Sequence, residues 1–459
     1  MIIDYHIKPE DLKGKLDRFW NLSGEKIQRI ESEYNWELGT PVFTVNGKYK
    51  SHGRTEWTQG FQYGSAILQF DATGDETFLK IGRDNTVDQM AQHISHVGCH
   101  DHGFNNISTY GNLHRLLKEG RLPQNEWENN YYKIALKASG AIQANRWSKT
   151  CNGGYINSFN GPQSLFIDTI RSCRSLMIAH KLGNFLQSEN GIHISLLKRG
   201  IEHLITTAKY LVYYDEDRDI YDEWGRTSQV AIFNPIDGRY RCSNSQQGYS
   251  GYSTWMRGLA WAMLGFSEEL EFLDTLPCEE FKENKNKEHV ISNLIRAAEA
   301  TCDFYIDHTA IDGIPYWDSG APGLIHLKDY LNRPADPYNH FEPVDSSAAA
   351  IGAQGLLRLG HYLNLMERTE EGTRFWQAGL TIVSRLLDSP YLSVDPEHQG
   401  ILLHSVYHRP NGYDHIPEGH KIPCNESGMW GDYHMRESAL YLSKIISNET
   451  YYTFFNGII

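Results

Sequence analysis

The sequence predicts an all-α protein of the (α/α)6-barrel class, a ring of six helical hairpins. Three observations predict it. Apolar residues recur at helical spacing, as in Ile201, Leu204, Ile205, Ala208, Leu211 and Val212, and again in Ile291, Leu294, Ile295, Ala298 and Cys302. Alternating strand patterns are scarce. A weak repeat also runs along the chain, in which a glycine- and aromatic-rich loop opens a helix that ends in a small-residue turn and is followed by a second amphipathic helix. WTQGFQYGSAILQFDATGDETFL, STWMRGLAWAMLGFSEELEFL and DSSAAAIGAQGLLRLGHYL carry it. Helix pairs that repeat about six times cannot each bury their apolar faces alone, so they are expected to close into a toroid.

The periodicity and capping signals place helices near 9–31, 56–71, 76–98, 108–120, 126–143, 164–183, 192–214, 254–270, 285–308, 345–365, 369–387 and 432–447. The main irregular insertions are 144–163, 215–252 and 310–344, which in a toroid form the natural walls of a cleft at one end. No linker or low-complexity segment divides the chain, and residues 1–459 are expected to form a single domain.

A net charge of −14 argues against nucleic acid or an anionic membrane as the main partner, since both reward basic surface. The 11 Trp and 27 Tyr suit a protein that stacks sugar rings. Cys99, Cys151, Cys173, Cys242, Cys278, Cys302 and Cys424 are odd in number and lack paired spacing, so reduced thiols are expected. The opening MIIDYHIKPEDLKGKLDRFWNL carries charge where a signal peptide needs an apolar core, and a cytoplasmic location is expected.

The richest stretch is QQGYSGYSTWMRGLAWAML, Gln246 to Leu264, where a polar loop runs into an apolar helix. Gly248 and Gly251 permit tight turns, Tyr249, Tyr252 and Trp255 offer flat faces to sugar rings, and Arg257 offers a planar fork for a carboxylate. Helix amides near Ser253 and Thr254 would add to the attraction for an anion, although a capped core helix with a solvated arginine would read the same way. Two aspartates stand in unusual contexts, Asp101 in GCHDHGF and Asp168 in SLFIDTIRS. Apolar neighbours penalise a carboxylate's charged form, the property a general acid needs near neutrality, but either aspartate would equally serve as a helix cap. His93, His96, His100, Asp101 and His102 invite a metal reading, yet no familiar ligand spacing occurs, and neither a metal nor another cofactor is expected. No GxSxG elbow supports a nucleophilic serine. SGMWGDYHMRESALYL, with Trp430 and Asp432, and GIPYWDSGAP, with Trp317 and Asp318, repeat the theme of an aromatic loop with an acidic residue.

WTQGFQYG, HDHGF, FIDTI, QGYSGYSTWMRGLAW, PYWDSGAP, DSSAAAI and WGDY occur in an order and spacing that resemble glycoside hydrolase family 88, the unsaturated glucuronyl hydrolases, from about Trp57 to Tyr441. The resemblance implies an (α/α)6 barrel that hydrates the C4=C5 double bond of an unsaturated uronic acid at the non-reducing end of lyase-generated oligosaccharides. It implies that Asp168 is the general acid and that Asp101 is a second essential aspartate which contacts the sugar and helps set the charge state of Asp168. It places Arg257, Gln247, Trp57, Trp261 and His100 on substrate-contact positions, with Phe159 where the family commonly has tryptophan. Gln229 and Gln246 stand where the family has histidines, and glutamine cannot change charge near neutral pH. An altered substrate preference, or a pH profile set by carboxylates alone, is expected. The competing readings are a family 105-like unsaturated rhamnogalacturonyl hydrolase, an inverting glycosidase using the two aspartates, a metal-binding cyclase-like scaffold and a non-catalytic carbohydrate-binding toroid. The loop from His408 to Gly428 is expected to line the aglycone side. There Arg409, His415, His420 and Lys421 either meet a sulfate or form a solvated basic surface.

Overall fold

Twelve long helical runs are present among the described residues of the computed structural model, which are 1–52, 56–284 and 286–450. They are α1 (Lys13–Glu33), α2 (Gln59–Thr73), α3 (Glu76–Gln89), α4 (His102–Asn106, a π turn at Ile107–Gly111, then Asn112–Lys118), α5 (Glu126–Asn145), α6 (Thr169–Ser172 and Arg174–Lys181), α7 (Leu196–Leu211), α8 (Met256–Asp274), α9 (Lys287–His308), α10 (Ser346–Leu365), α11 (Thr369–Leu386) and α12 (Met429–Ile446).

The even-numbered helices form the inner ring. α2 packs on α4, α4 on α6, α6 on α8, α8 on α10, α10 on α12, and α12 returns to α2, which closes an (α/α)6 barrel. The odd-numbered helices cover the outside. Composition explains the sorting: α2, α8, α10 and α12 are buried along nearly their whole lengths, whereas α7 and α11 bury one stripe and expose the other face. No helix among the described residues is long and apolar enough to cross a membrane.

The barrel axis is polar. Arg171 pairs with Glu437 at 2.6 Å and contacts Glu268, Arg358 pairs with Glu271 at 2.8 Å, and Tyr433 Oη donates to Glu437 at 2.9 Å. Within this network Glu269 is fully buried, and burial pushes its carboxyl up to about 8 against the pull of Arg174 and Arg171.

The outer helix expected over 76–98 stops at Gln89 and is followed only by a short turn of helix at Ala91–Ile94, and two inner-ring segments depart further from the sequence expectation. The stretch near 164–183 opens as a strand, Ser164–Phe166, and turns helical only at Thr169; that strand joins Val230–Phe233 and Tyr240–Asn244 in a small antiparallel sheet, with Phe166 opposite Val230. The helix expected from 108 begins at His102, directly after Asp101. Both changes put an aspartate at the start of an inner helix.

Candidate active site

The starts of the six inner helices meet at one end of the barrel. The residues just before or at those starts, Trp57, Asp101, Asp168, Trp255, Asp345 and Trp430, therefore come together from positions far apart in sequence. Parallel inner helices direct the positive ends of their dipoles toward this end, which favours an anionic ligand. A cavity of about 780 Å³ opens there, lined among others by Trp57, His100, Asp101, Phe104, Phe159, Asp168, Gln246, Gln247, Trp255, Arg257 and Trp261.

Asp101 and Asp168 occupy the cap positions of α4 and α6, yet neither side chain bonds a helix amide. Their carboxylates face one imidazole instead. His100 Nε2 lies 3.3 Å from Asp168 Oδ1 and 3.6 Å from Asp101 Oδ1. The position of His100 is fixed by Gln143, whose Nε2 donates to the His100 carbonyl at 2.8 Å, and by Phe159, which stacks on the ring at 6.0 Å with a 12° interplanar angle. Burial opposes the His100 imidazolium, but the two carboxylates outweigh it and its pKa stands above the ordinary histidine value. Burial also raises the Asp101 carboxyl, and the Asp168 charge adds to this while His100 opposes it.

The walls are aromatic and amide. Trp57 stacks on Trp430 at 5.3 Å, and Trp261 packs against Phe104 at 4.9 Å beneath the cavity. Phe159 is 50% exposed and presents its free face to the cavity mouth. Arg257 reaches the wall but is heavily engaged: Nη2 donates to Gln247 Oε1 at 2.9 Å and to the Tyr407 carbonyl at 2.7 Å, while Nη1 donates to the Val406 carbonyl and pairs with Asp345 at 3.3 Å. The expected open fork is thus a pinned one, 1% exposed, that ties α8 to the loop at 406–407.

Several expected residues stand elsewhere. Gln229 lies behind the wall, with its Oε1 accepting from Ser245 Oγ, Gln246 N and Gln247 N. Trp430 is fully buried under Trp57, its Nε1 donating to Ser347 Oγ at 2.8 Å, so it supports the wall and offers no sugar face. Tyr249 and Tyr252 are exposed outside the cavity. The Thr254 and Ser253 amides already donate to Ser319 Oγ and Ser250 Oγ, because α8 starts only at Met256. Gly248 is required by close approach: a Cβ there would lie 2.8 Å from Asp318 Oδ2 and from Trp255 Cβ. Asp318 accepts from Tyr249 N and Gly320 N and braces that loop, and Trp317 donates to Glu342. Asp432 holds the Ile401 and Leu402 amides and the Tyr49 hydroxyl. His93 and His102 bond Gln59 and Ser139, and the described residues hold no cluster fit for a metal ion. Of the 408–428 loop, His408, Asn411 and Tyr413 reach the cavity, whereas Arg409, His415, His420 and Lys421 do not line it.

No protein-family model matches the chain. It is 24% identical over 416 residues to an unsaturated glucuronyl hydrolase of Bacillus sp. strain GL1, covering 88% of this chain and 91% of that one. A second unsaturated glucuronyl hydrolase, from Formosa agariphila, is 25% identical over 389 residues, covering 83% and 79%. The crystal structure of the Bacillus sp. GL1 unsaturated glucuronyl hydrolase, described as responsible for the degradation of glycosaminoglycan, superposes with a TM-score of 0.69 at 22% identity, covering 93% of this chain and 98% of that chain. The chain is thus similar over most of its length to unsaturated glucuronyl hydrolases and shares the fold of the solved one.

Of the residues that the sequence resemblance singled out, Asp101 and Asp168 each contact His100. The two glutamine departures have separate places, Gln246 on the cavity wall and Gln229 behind it. Sequence reasoning missed His52, Asn160 and Tyr407 on the wall. Tyr407 stacks 6.3 Å from Trp57, and burial pushes His408 down to about 4, leaving a neutral ring there. Only the aromatic and histidine content of YHRPNGY hinted at them.

Proposed function

We propose that this glycoside hydrolase removes a 4,5-unsaturated uronic acid from the non-reducing end of lyase-generated oligosaccharides by hydrating the C4=C5 double bond. The observation that carries this reading is the His100 imidazole lodged between the Asp101 and Asp168 carboxylates on the wall of a concave, aromatic-lined cavity.

In this reading Asp168 delivers a proton to C4, and the enol-ether electron pair moves so that positive charge develops at C5 and the ring oxygen. Water adds at C5 and returns its proton to Asp168. The C5 hemiketal then opens to a ketone, which converts C1 to an ordinary hemiacetal that collapses and releases the aglycone. His100 hydrogen-bonds the acid and supplies the proton reservoir. Asp101, held toward its neutral form by burial, is suited to donate to a sugar hydroxyl. Trp57, Trp261 and Phe159 bracket the ring, Gln246 and Gln247 offer amides to the uronate, and the convergent helix starts favour its charge. The scheme needs no cofactor.

One geometric fact favours hydration over direct inverting hydrolysis. An inverting glycosidase keeps its carboxyl groups about 6.5–9.5 Å apart with a water between them. Here the oxygens of the two aspartates that approach the same His100 nitrogen lie 3.3 and 3.6 Å from it, at the short edge of that range at most, with a histidine as their shared neighbour.

The test is loss of the ultraviolet absorbance of the conjugated C4=C5 uronate over a panel of lyase-generated disaccharides, including rhamnogalacturonan products, with wild type and Asp168→Asn. Loss with wild type and a fall of about 10³-fold or more in the variant are expected. Cleavage of saturated glycosides with no loss of that absorbance would overturn the reading.

A further inference from the structure

Gln229 touches three donors and no part of the cavity. Its Oε1 accepts from Gln246 N at 2.6 Å, Gln247 N at 2.8 Å and Ser245 Oγ at 3.0 Å. Backbone amides can only donate, so the atom facing them is the oxygen. Ser245 Oγ accepts in turn from Gly248 N at 3.0 Å, so one amide oxygen closes the whole turn 245–248. That turn carries Gln246 and Gln247 on the cavity wall, and Gln247 Oε1 is the acceptor for Arg257 Nη2. At its other end Gln229 is tied to the acid: its carbonyl accepts from Ile167 N at 2.9 Å, one residue before Asp168. The side chain is 2% exposed and its Nε2 is buried with no partner, so the donor half of the amide contributes nothing here.

We propose that Gln229 is a positioning residue that sets substrate affinity by holding Gln246 and Gln247 in register with Arg257 on one side and with the Asp168 strand end on the other, acting through its amide oxygen alone. This rests on the reading of the cavity as a uronate site. A buried acceptor shared by three donors suits the role because removing it takes the partner from two backbone amides and a hydroxyl at once, which costs free energy unless the turn shifts to find water. The turn escapes that cost only by moving, and Gln247 moves with it.

Gln229→Met keeps length and shape and deletes the acceptor. The expected result is a rise in KM for the unsaturated disaccharide of about tenfold with kcat within about threefold, the pattern of lost uniform binding. Gln247→Ala should give a rise of similar size, and the double variant should match Gln247→Ala alone, because both changes break one path. Effects that multiply, or a fall in kcat with KM unchanged, overturn the proposal. Amide hydrogen exchange gives an arm independent of any substrate. Faster exchange at residues 245–248 in Gln229→Met, with the barrel helices unaltered, is expected, and unchanged protection there overturns the proposal even where the enzyme reading has failed. The enzyme reading fails separately, when wild type consumes no unsaturated disaccharide.

Discussion

Gly103→Ala tests whether the barrel packing sets the catalytic geometry. Gly103 lies two residues after Asp101, and a Cβ there would stand 2.3 Å from the Ser172 carbonyl oxygen and 2.4 Å from Ser172 Cα. Ordinary contacts of this kind begin near 3.5 Å, so α4 and α6 must part by about 1 Å, and both obstructing atoms are backbone that cannot swing aside. The Gly103 N to Ser172 Oγ bond of 2.8 Å would stretch with them. Since Asp101 and His100 lead into α4 and Asp168 leads into α6, the same displacement falls on the 3.3 Å contact between His100 and Asp168. A shift of about 1 Å in catalytic groups costs on the order of 10²-fold in rate. Overpacking of this size costs about 1–3 kcal/mol, which a barrel of this size survives folded. Gly200→Ala is the control, because its Cβ would press on the flexible tip of Met177 and otherwise meet Leu176 Cβ at an ordinary 3.9 Å. The assay is loss of the C4=C5 absorbance alongside thermal unfolding. A Gly103→Ala protein with kcat within about threefold of wild type would refute the link between helix spacing and the dyad.

His100→Gln keeps a hydrogen-bonding group between the carboxylates but removes the charge. The histidine pKa is raised, so its imidazolium is present at lower pH and is lost as pH rises through the raised value. Wild-type kcat/KM should therefore fall on the alkaline side, while the variant should be slower by about 10²-fold and lack that limb, as read from pH–rate profiles. Glu269→Gln replaces a buried carboxyl whose two oxygens have no hydrogen-bond partner. The folded carboxyl titrates at about 8 against 4.5 unfolded, so its stabilising effect is complete below about pH 4 and is lost as pH rises toward 8. By pH 7 the loss reaches on the order of 3 kcal/mol. Denaturant titrations should find the variant matching wild type near pH 4 and exceeding it at pH 7 to 8; a gap that is constant with pH would contradict the argument.

Local signals carried much of this protein. The twelve helical segments follow from periodicity, because a helix records its buried face every three or four residues. The two aspartates stood out through their immediate neighbours, and an aspartate at a helix start is legible in sequence. Whether such an aspartate caps its helix is not legible. In Asp345 the carboxylate does bond the Ser347 amide, while in Asp101 and Asp168 it turns away to His100. Arg257 and Trp430 were recognised as site residues, but one is pinned by Val406, Tyr407 and Asp345 and the other is sealed beneath Trp57.

The sequence by itself determined the fold class and the order of the helix pairs, and it singled out Asp101 and Asp168 as candidates, since each of these signals depends on residues within a turn or two of one another. The tertiary structure alone decided that His100 contacts both carboxylates, that burial raises the Asp101 carboxyl, that the Gln229 side chain stands behind the wall, and that His52, Asn160 and Tyr407 line it. The reason is physical: a loop's periodicity does not say which way its side chains face, and the contacts that fix it here join residues tens to hundreds of positions apart.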